Sequence, residues 1–249
     1  MPAARITLDD ALDLTRTGDI WLFRGHTAGD RAIQIATNSP VNHVGMSVVI
    51  EDLPPLMWHA ELGRSLPDVW SGTRQRGVQL HDLREAVLVW ARKYGQRAWL
   101  RQLDQPVTRE MEDAVLRTIA RTDGTPFPST TRLASQWLAG RIPAIRRTGH
   151  ATDSQGADPQ GADPQAADLQ TAEPQAADLQ TAYCAQVLAV TFQAMGLLPA
   201  ARRPNWFDAG RFWSGDDLAL SGGLALGSEI AVQIPAANSG EPAASASGR

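Results

Sequence analysis

The chain is poor in the residues that staple, ligate or anchor. Among 249 residues there is one cysteine, Cys184, which excludes an intrachain disulfide and any multi-cysteine zinc or iron–sulfur site. Lysine is nearly missing as well: Lys93 is the only one, and arginine supplies the remaining positive charge, a compositional bias and not a phosphate site. Net charge is −4, so the basic surplus of a general nucleic-acid binder is absent. No stretch approaches the roughly 18 consecutive apolar residues of a membrane-spanning helix. The first ten residues, Met1 to Asp10, are too polar for a secretory h-region. These absences predict a soluble cytoplasmic protein and leave peripheral membrane contact open. A phosphate-cradling glycine loop, a metal-ligand cluster and a serine-centred elbow are also missing, so neither cofactor nor metal is expected.

What the chain does have is a core interrupted once. A Gly-Ala-Asp-Pro-Gln pattern recurs with drift at Gly156–Gln160, Gly161–Gln165, Ala166–Gln170 and Ala176–Gln180. With almost no large apolar side chain, that segment cannot bury enough surface to offset its ordering entropy. A disordered insertion at about 150–182 is expected, followed by a disordered tail at 236–249. A loop insertion of this kind is tolerated because closure entropy grows slowly with length. The rest, residues 1–235, reads as a single domain of roughly 200 ordered residues.

Hydrophobic periodicity places the elements. It predicts helices near Leu8–Thr15, Ala28–Ala36, Thr108–Gly124 and Tyr183–Gly196, and strands at Ile20–Phe23, His43–Ile50, Leu56–Leu62 and Ala86–Trp90. The class is α+β: a small antiparallel β-sheet with helices packed to one side.

Cys184 opens the last of these helices. Unpaired backbone N–H groups and the positive end of the macrodipole favour an anion there, so a thiolate at that place is a competent nucleophile. A thiol nucleophile needs a base, usually histidine, and a polar group to orient it. Of the five histidines, His26, His81 and His150 lie in polar or turn-like stretches and read as solvated. His43 and His59 lie on predicted strands. In a hairpin with Ile50 opposite Leu56, parity puts His43, His59 and Glu61 on one face.

Taken in order, Gly18-Asp19-Ile20, Asn42-His43-Val44-Gly45-Met46, Trp58-His59-Ala60, Gly124-Thr125-Pro126-Phe127 and Tyr183-Cys184-Ala185-Gln186-Val187 resemble circularly permuted papain-like proteins. These form the permuted branch of the NlpC-type superfamily, with YiiX/YebB-like proteins and, distantly, lecithin–retinol acyltransferases. The resemblance spans about Thr15 to Ala231, and it implies a permuted papain-like fold with the nucleophile at a helix N-terminus. It also implies Cys184 as nucleophile, His43 as general base and His59 as the residue that orients the imidazole. Two features depart from the pattern. Close relatives tend to carry glutamate where His59 aligns, and Ser-Glu or similar where this chain has Ala185-Gln186. Glu61, which the hairpin register sets nearer to His43, is the alternative third residue.

The first expectation is therefore a cysteine hydrolase or acyltransferase: an amidase, thiol protease or lipid acyl hydrolase working through an acyl-enzyme on Cys184. The family's range implies cell-wall peptides, other amides or lipid esters as substrates, and the missing secretion signal weighs against wall cleavage. The competing expectation is a non-catalytic module that keeps the groove to bind peptide or lipid. Of the tryptophans, Trp21, Trp58 and Trp90 read as core, while Trp70, Trp206 and Trp213 are candidates to line a groove. Arg141, Arg146 and Arg147 read as a solvated face.

Overall fold

The structure, a computed structural model, describes residues 4–129, 132, 135, 181–216 and 218–235. The repeat, the tail from 236, His150 and the arginines at 141, 146 and 147 lie outside these residues.

The elements in chain order are β1 (Arg5–Thr7), α1 (Leu8–Leu14), β2 (Ile20–Arg24), α2 (Ala28–Thr37), β3 (His43–Val48), β4 (Leu56–Glu61), β5 (Gly77–Asp82), α3 (Leu83–Tyr94), β6 (Arg97–Arg101), α4 (Arg109–Thr122), α5 (Cys184–Ala194) and β7 (Ile230–Gln233). The strands form one seven-stranded sheet in the order β1-β7-β6-β2-β3-β4-β5. Only β1 and β7 pair in parallel; every other neighbouring pair is antiparallel. The class is α+β as expected, but the sheet is neither small nor covered on one side.

Alternation explains the two-sided cover, because successive side chains of a strand point to opposite faces. Ile20, Leu22, Val44, Met46 and Trp58 pack into one core with α4 and α5. Trp21, Phe23 and Met57 pack into a second core with α1 and α3. A sheet buried on both faces reads as continuous apolar sequence, as Ile20-Trp21-Leu22-Phe23 does.

Two expected details change. The segment Ala86–Trp90 is helical, not a strand, because it belongs to α3. Its buried residues Leu83, Ala86, Val87 and Trp90 follow the i, i+3, i+4, i+7 spacing of an amphipathic helix. Asp82 caps the start by accepting from the Glu85 N–H, and Gly95 ends it in the left-handed conformation at φ 63°. The β3–β4 register is also tighter than expected, with Val48 rather than Ile50 opposite Leu56. A turn from Ile50 to Leu53 removes Val49 and Ile50 from the ladder, and Pro54 and Pro55 have no N–H to contribute. The shift is two residues, so the faces are preserved.

Helix α5 is buried along almost its whole length, from Cys184 to Gln193. Trp58 on β4 donates its indole N–H to Thr191 Oγ1 at 3.0 Å, pinning the helix to the sheet. Its entry is also fixed: the Ala182 N–H donates to the Pro126 carbonyl at 3.0 Å. That carbonyl belongs to the Gly124–Phe127 stretch, which itself clasps β5, with the Val78 N–H on Thr125 O at 2.8 Å. Gly77 lets this clasp close: at φ 124°, a Cβ there would lie 2.1 Å from the Thr125 carbonyl oxygen.

Candidate active site

Three imidazoles stand side by side on adjacent strands. His43 Nε2 lies 3.2 Å from His59 Nδ1, and His59 Nε2 lies 3.1 Å from His81 Nδ1. Glu61 Oε2 is 3.8 Å from His81 Nδ1. The register produces this row, because His59 and Gln79 are direct partners, as are Met57 and His81, all projecting to the α3 side. Trp90 of α3 forms the wall, its ring 4.9 Å edge-to-face from both His43 and His59. Phe23 flanks His43 from β2 at 5.8 Å.

His59 is fully buried, His81 is 1% exposed and His43 is half-buried. Loss of water disfavours the charged ring, so burial pulls His43 and His81 each down to about 4 and His59 well below its usual range. Neighbouring imidazoles push His59 further in the same direction. All three are neutral at pH 7. Burial likewise raises the Glu61 carboxyl, against hydrogen bonds from Ser65 and Trp90 that favour its ionised form. His81 therefore corrects the expectation of a solvated side chain: its turn-like sequence context concealed a strand position facing a packed core. His26 is exposed as expected.

Cys184 approaches from the other face. Its helix belongs to the opposite core, and its side chain is 8% exposed. The Val44 N–H, in the peptide that joins Val44 to His43, hydrogen-bonds to its sulfur. This amide is free for a structural reason. The Ser47 N–H donates to the Asp19 carbonyl on the β2 side, so odd residues of β3 turn their main-chain groups that way and even residues turn towards β4. The β3–β4 ladder stops at Met46 opposite Trp58, while β4 continues beside β5 to Glu61. The pairing that would occupy Val44 is missing, and the sulfur sits at the opening. Gly45 lets the strands pass closely just before that point, since a Cβ there would lie 2.2 Å from Met57 Sδ.

Burial pushes the Cys184 thiol up to about 11, outweighing the main-chain N–H groups of Val44, Ala185 and Cys184 that favour the thiolate. The thiol and the imidazoles are thus neutral at pH 7. The structure brings His43 and His59 into hydrogen-bond contact and places Glu61 beside His81. It draws no hydrogen bond between Cys184 and His43.

Other motif residues are structural. Asn42 accepts from the Gly25 N–H at 2.6 Å and donates to Asp30 Oδ1 at 2.9 Å, tying the start of β3 to the start of α2. Asp19 accepts from the main-chain N–H groups of Arg16 and Leu103, each at 2.9 Å. Trp21, Trp58 and Trp90 are core, whereas Trp70 is exposed. Trp206 has the guanidinium carbons of Arg202 and Arg211 each 4.2 Å from its ring centroid, and Trp213 lies edge-to-face against Trp99 at 5.6 Å.

The fold and site together define an α+β protein with a thiol at the first residue of a buried helix on one face of the sheet and a buried imidazole row on the other. No family model and no curated protein matches the chain. Among solved structures it is similar to metalloprotein YiiX from Escherichia coli O157:H7, at 17% identity and a TM-score of 0.42, over 72% of this chain. The similarity spans 65% of the length of that protein. Among the described residues, no helix is long and apolar enough to cross a membrane.

Proposed function

We propose that this protein is a cysteine-dependent hydrolase or acyltransferase of permuted papain-like architecture, with Cys184 as nucleophile, His43 as base and His59 as the orienting residue. One observation carries the reading: the Cys184 sulfur is held against the 43–44 peptide while the far nitrogen of the His43 ring, Nε2, is engaged by His59. The nitrogen left for the sulfur is Nδ1, the one nearer the main chain. A nucleophile, a base and an orienter in that order are what thiol acyl transfer requires.

The chemistry begins from neutral partners. His43 Nδ1 takes the Sγ proton as sulfur adds to the carbonyl carbon of an amide, ester or thioester. The N–H groups at the start of α5 stabilise the oxyanion. His43 returns the proton to the departing amine, alcohol or thiol as its bond to carbon breaks, leaving a thioester on Cys184. Water or a second acceptor, deprotonated by the same imidazole, then adds to the thioester carbon; the C–S bond breaks, the acyl product leaves, and His43 returns the proton to the Cys184 sulfur. His59 holds the ring in place. Glu61 is not the preferred third residue, because its contacts run to Ser65, Trp90 and His81.

Intact-mass analysis after incubation with an activated acyl thioester tests this. The wild type gains one acyl group, Cys184→Ala gains none, and His43→Ala, with native circular dichroism, acylates at least 100-fold more slowly. Equal acylation rates for His43→Ala and wild type refute the assignment. The second reading, a non-catalytic peptide- or lipid-binding module, is favoured by the protonated, nearly buried thiol. It expects ligand binding without any acyl adduct.

A further inference from the structure

The proposed chemistry uses His43 and His59 but leaves His81, Glu61 and Gln79 unexplained. All three are buried on the same side of the sheet, and several of their polar atoms have no partner. Glu61 Oε2, His81 Nε2 and both side-chain polar atoms of Gln79 lack a hydrogen bond. Gln79 is completely buried and sits directly opposite His59 in the ladder. Orphaned buried polar atoms cost about 1–3 kcal/mol each. Of these four, Glu61 Oε2, 3.8 Å from His81 Nδ1, is the one that a group bound between Glu61 and the imidazoles would satisfy.

We infer that His59 Nε2, His81 Nδ1 and Glu61 Oε2 form a binding site for a divalent transition-metal ion such as Zn2+, whose occupancy switches off the thiol. Two imidazole nitrogens and a carboxylate are a donor set that such ions take, and Mg2+ or Ca2+ would prefer oxygen alone. The spacing fits. Two donors each about 2.1 Å from one ion lie about 3.4 Å apart at the tetrahedral angle and never beyond about 4.2 Å. The His59–His81 pair is 3.1 Å apart and the His81–Glu61 pair 3.8 Å, both inside that limit. All three ligand atoms lie within 4.8 Å of one another, so the remaining pair needs a side-chain adjustment of at most about 0.6 Å to close on one ion. Trp90 and the sheet shield the site, and Ser65 holds the other Glu61 oxygen at 3.0 Å.

The switch follows from counting protons. A neutral imidazole carries one N–H, so a metal on His59 Nε2 leaves the proton of His59 on Nδ1. That N–H points at His43 Nε2, which must then accept, and the proton of His43 moves to Nδ1. Acyl transfer needs that same nitrogen bare. Metal ligation and general-base catalysis therefore demand opposite tautomers of His43. The binding site stands on its own geometry, while the switch rests on the function proposed above.

Cobalt titration of the metal-free full chain tests the site, with visible absorption as the readout. One equivalent is expected to bind with intense d–d bands, without a sulfur-to-cobalt band, and equally well in Cys184→Ser. His81→Gln and Glu61→Gln should weaken binding at least tenfold. X-ray absorption of the zinc-loaded wild type should show two imidazoles and no sulfur, a reading that does not depend on the variants folding. No binding below millimolar cobalt, or a sulfur ligand, overturns the site. Acyl-adduct formation, measured with and without one equivalent of Zn2+, tests the switch: a fall of tenfold or more is expected in wild type and none in His81→Gln, each relative to its own metal-free rate. Unchanged acylation in zinc-loaded wild type overturns the switch and leaves the site standing. Absence of any adduct without metal counts against the thiol chemistry instead.

Discussion

Lowering the pH from 7 to 5 should destabilise this protein, because its buried imidazoles must gain protons that the fold disfavours. A group whose folded pKa lies below its unfolded value contributes no penalty above the unfolded pKa, near 6.5. It costs stability progressively as pH falls towards the folded value. For His81, held at about 4, the linkage relation gives ~2 kcal/mol lost at pH 5. His43, held at about 4 but half-buried, adds up to as much again. His59 moves in the same direction. An opposing contribution comes from Asp123, whose carboxyl is raised to about 6 by burial and the nearby Asp68. It binds a proton more readily when folded and returns roughly 1 kcal/mol over the same interval. Glu61 and Asp19, also raised, act the same way. The net expectation is a loss of about 2–3 kcal/mol, a large share of the roughly 5–15 kcal/mol typical of a domain. Urea unfolding followed by tryptophan fluorescence at pH 7, 6 and 5 measures it directly. Since the urea slope scales with exposed surface, it should stay constant while the midpoint falls. His81→Gln, which removes one of the titrating rings, should lose ~2 kcal/mol less across the interval. Stability that is flat or rising from pH 7 to 5 would show that these imidazoles are hydrated or charged in the folded protein.

Two structural variants probe the scaffold. Gly77→Ala places a Cβ against the Thr125 carbonyl in a backbone conformation at φ 124°, and should cost about 2–4 kcal/mol in urea unfolding. Trp58→Phe removes the indole donor to Thr191 and leaves a small void beneath α5, with about 2–4 kcal/mol expected by the same measurement.

The parts of this molecule legible in the sequence are those in which one periodicity dominates. Thr7 and Thr27 each begin a helix in a capping box with an aspartate three residues on, and both helices stand where expected. The alternation in His43–Val48 and Leu56–Glu61 put His43, His59 and Glu61 on one face, and parity kept them there despite the register error. Sequence was least informative where a short window looked the same in two conformations. Ala86–Trp90 is an uninterrupted apolar run, and its helical period shows only when Leu83 is included. Strands β1, β6 and β7 were invisible because they are three to five residues long and two of them lie at or beside the edge. His81 was missed for a related reason. Its strand, Gly-Val-Gln-Leu-His-Asp, alternates apolar and polar residues as if one face met water, but that polar face is turned into the imidazole row. The opposed-face approach of Cys184 could not be read at all, since it depends on where a ladder stops.

That stopping point gives the site an unusual division of traffic. The imidazole row that orients His43, with His59 and His81 behind Trp90, lies on one side of the sheet. The acyl group would be carried by sulfur on the side of α5, and the gap beyond Met46 is where the two circuits touch. If the thiol acts as proposed, the two binding events are insulated from each other: a substrate reaching the sulfur need not displace anything around the rings, and an ion reaching the rings need not compete with substrate. Inhibitors of the two circuits should therefore be non-competitive with one another.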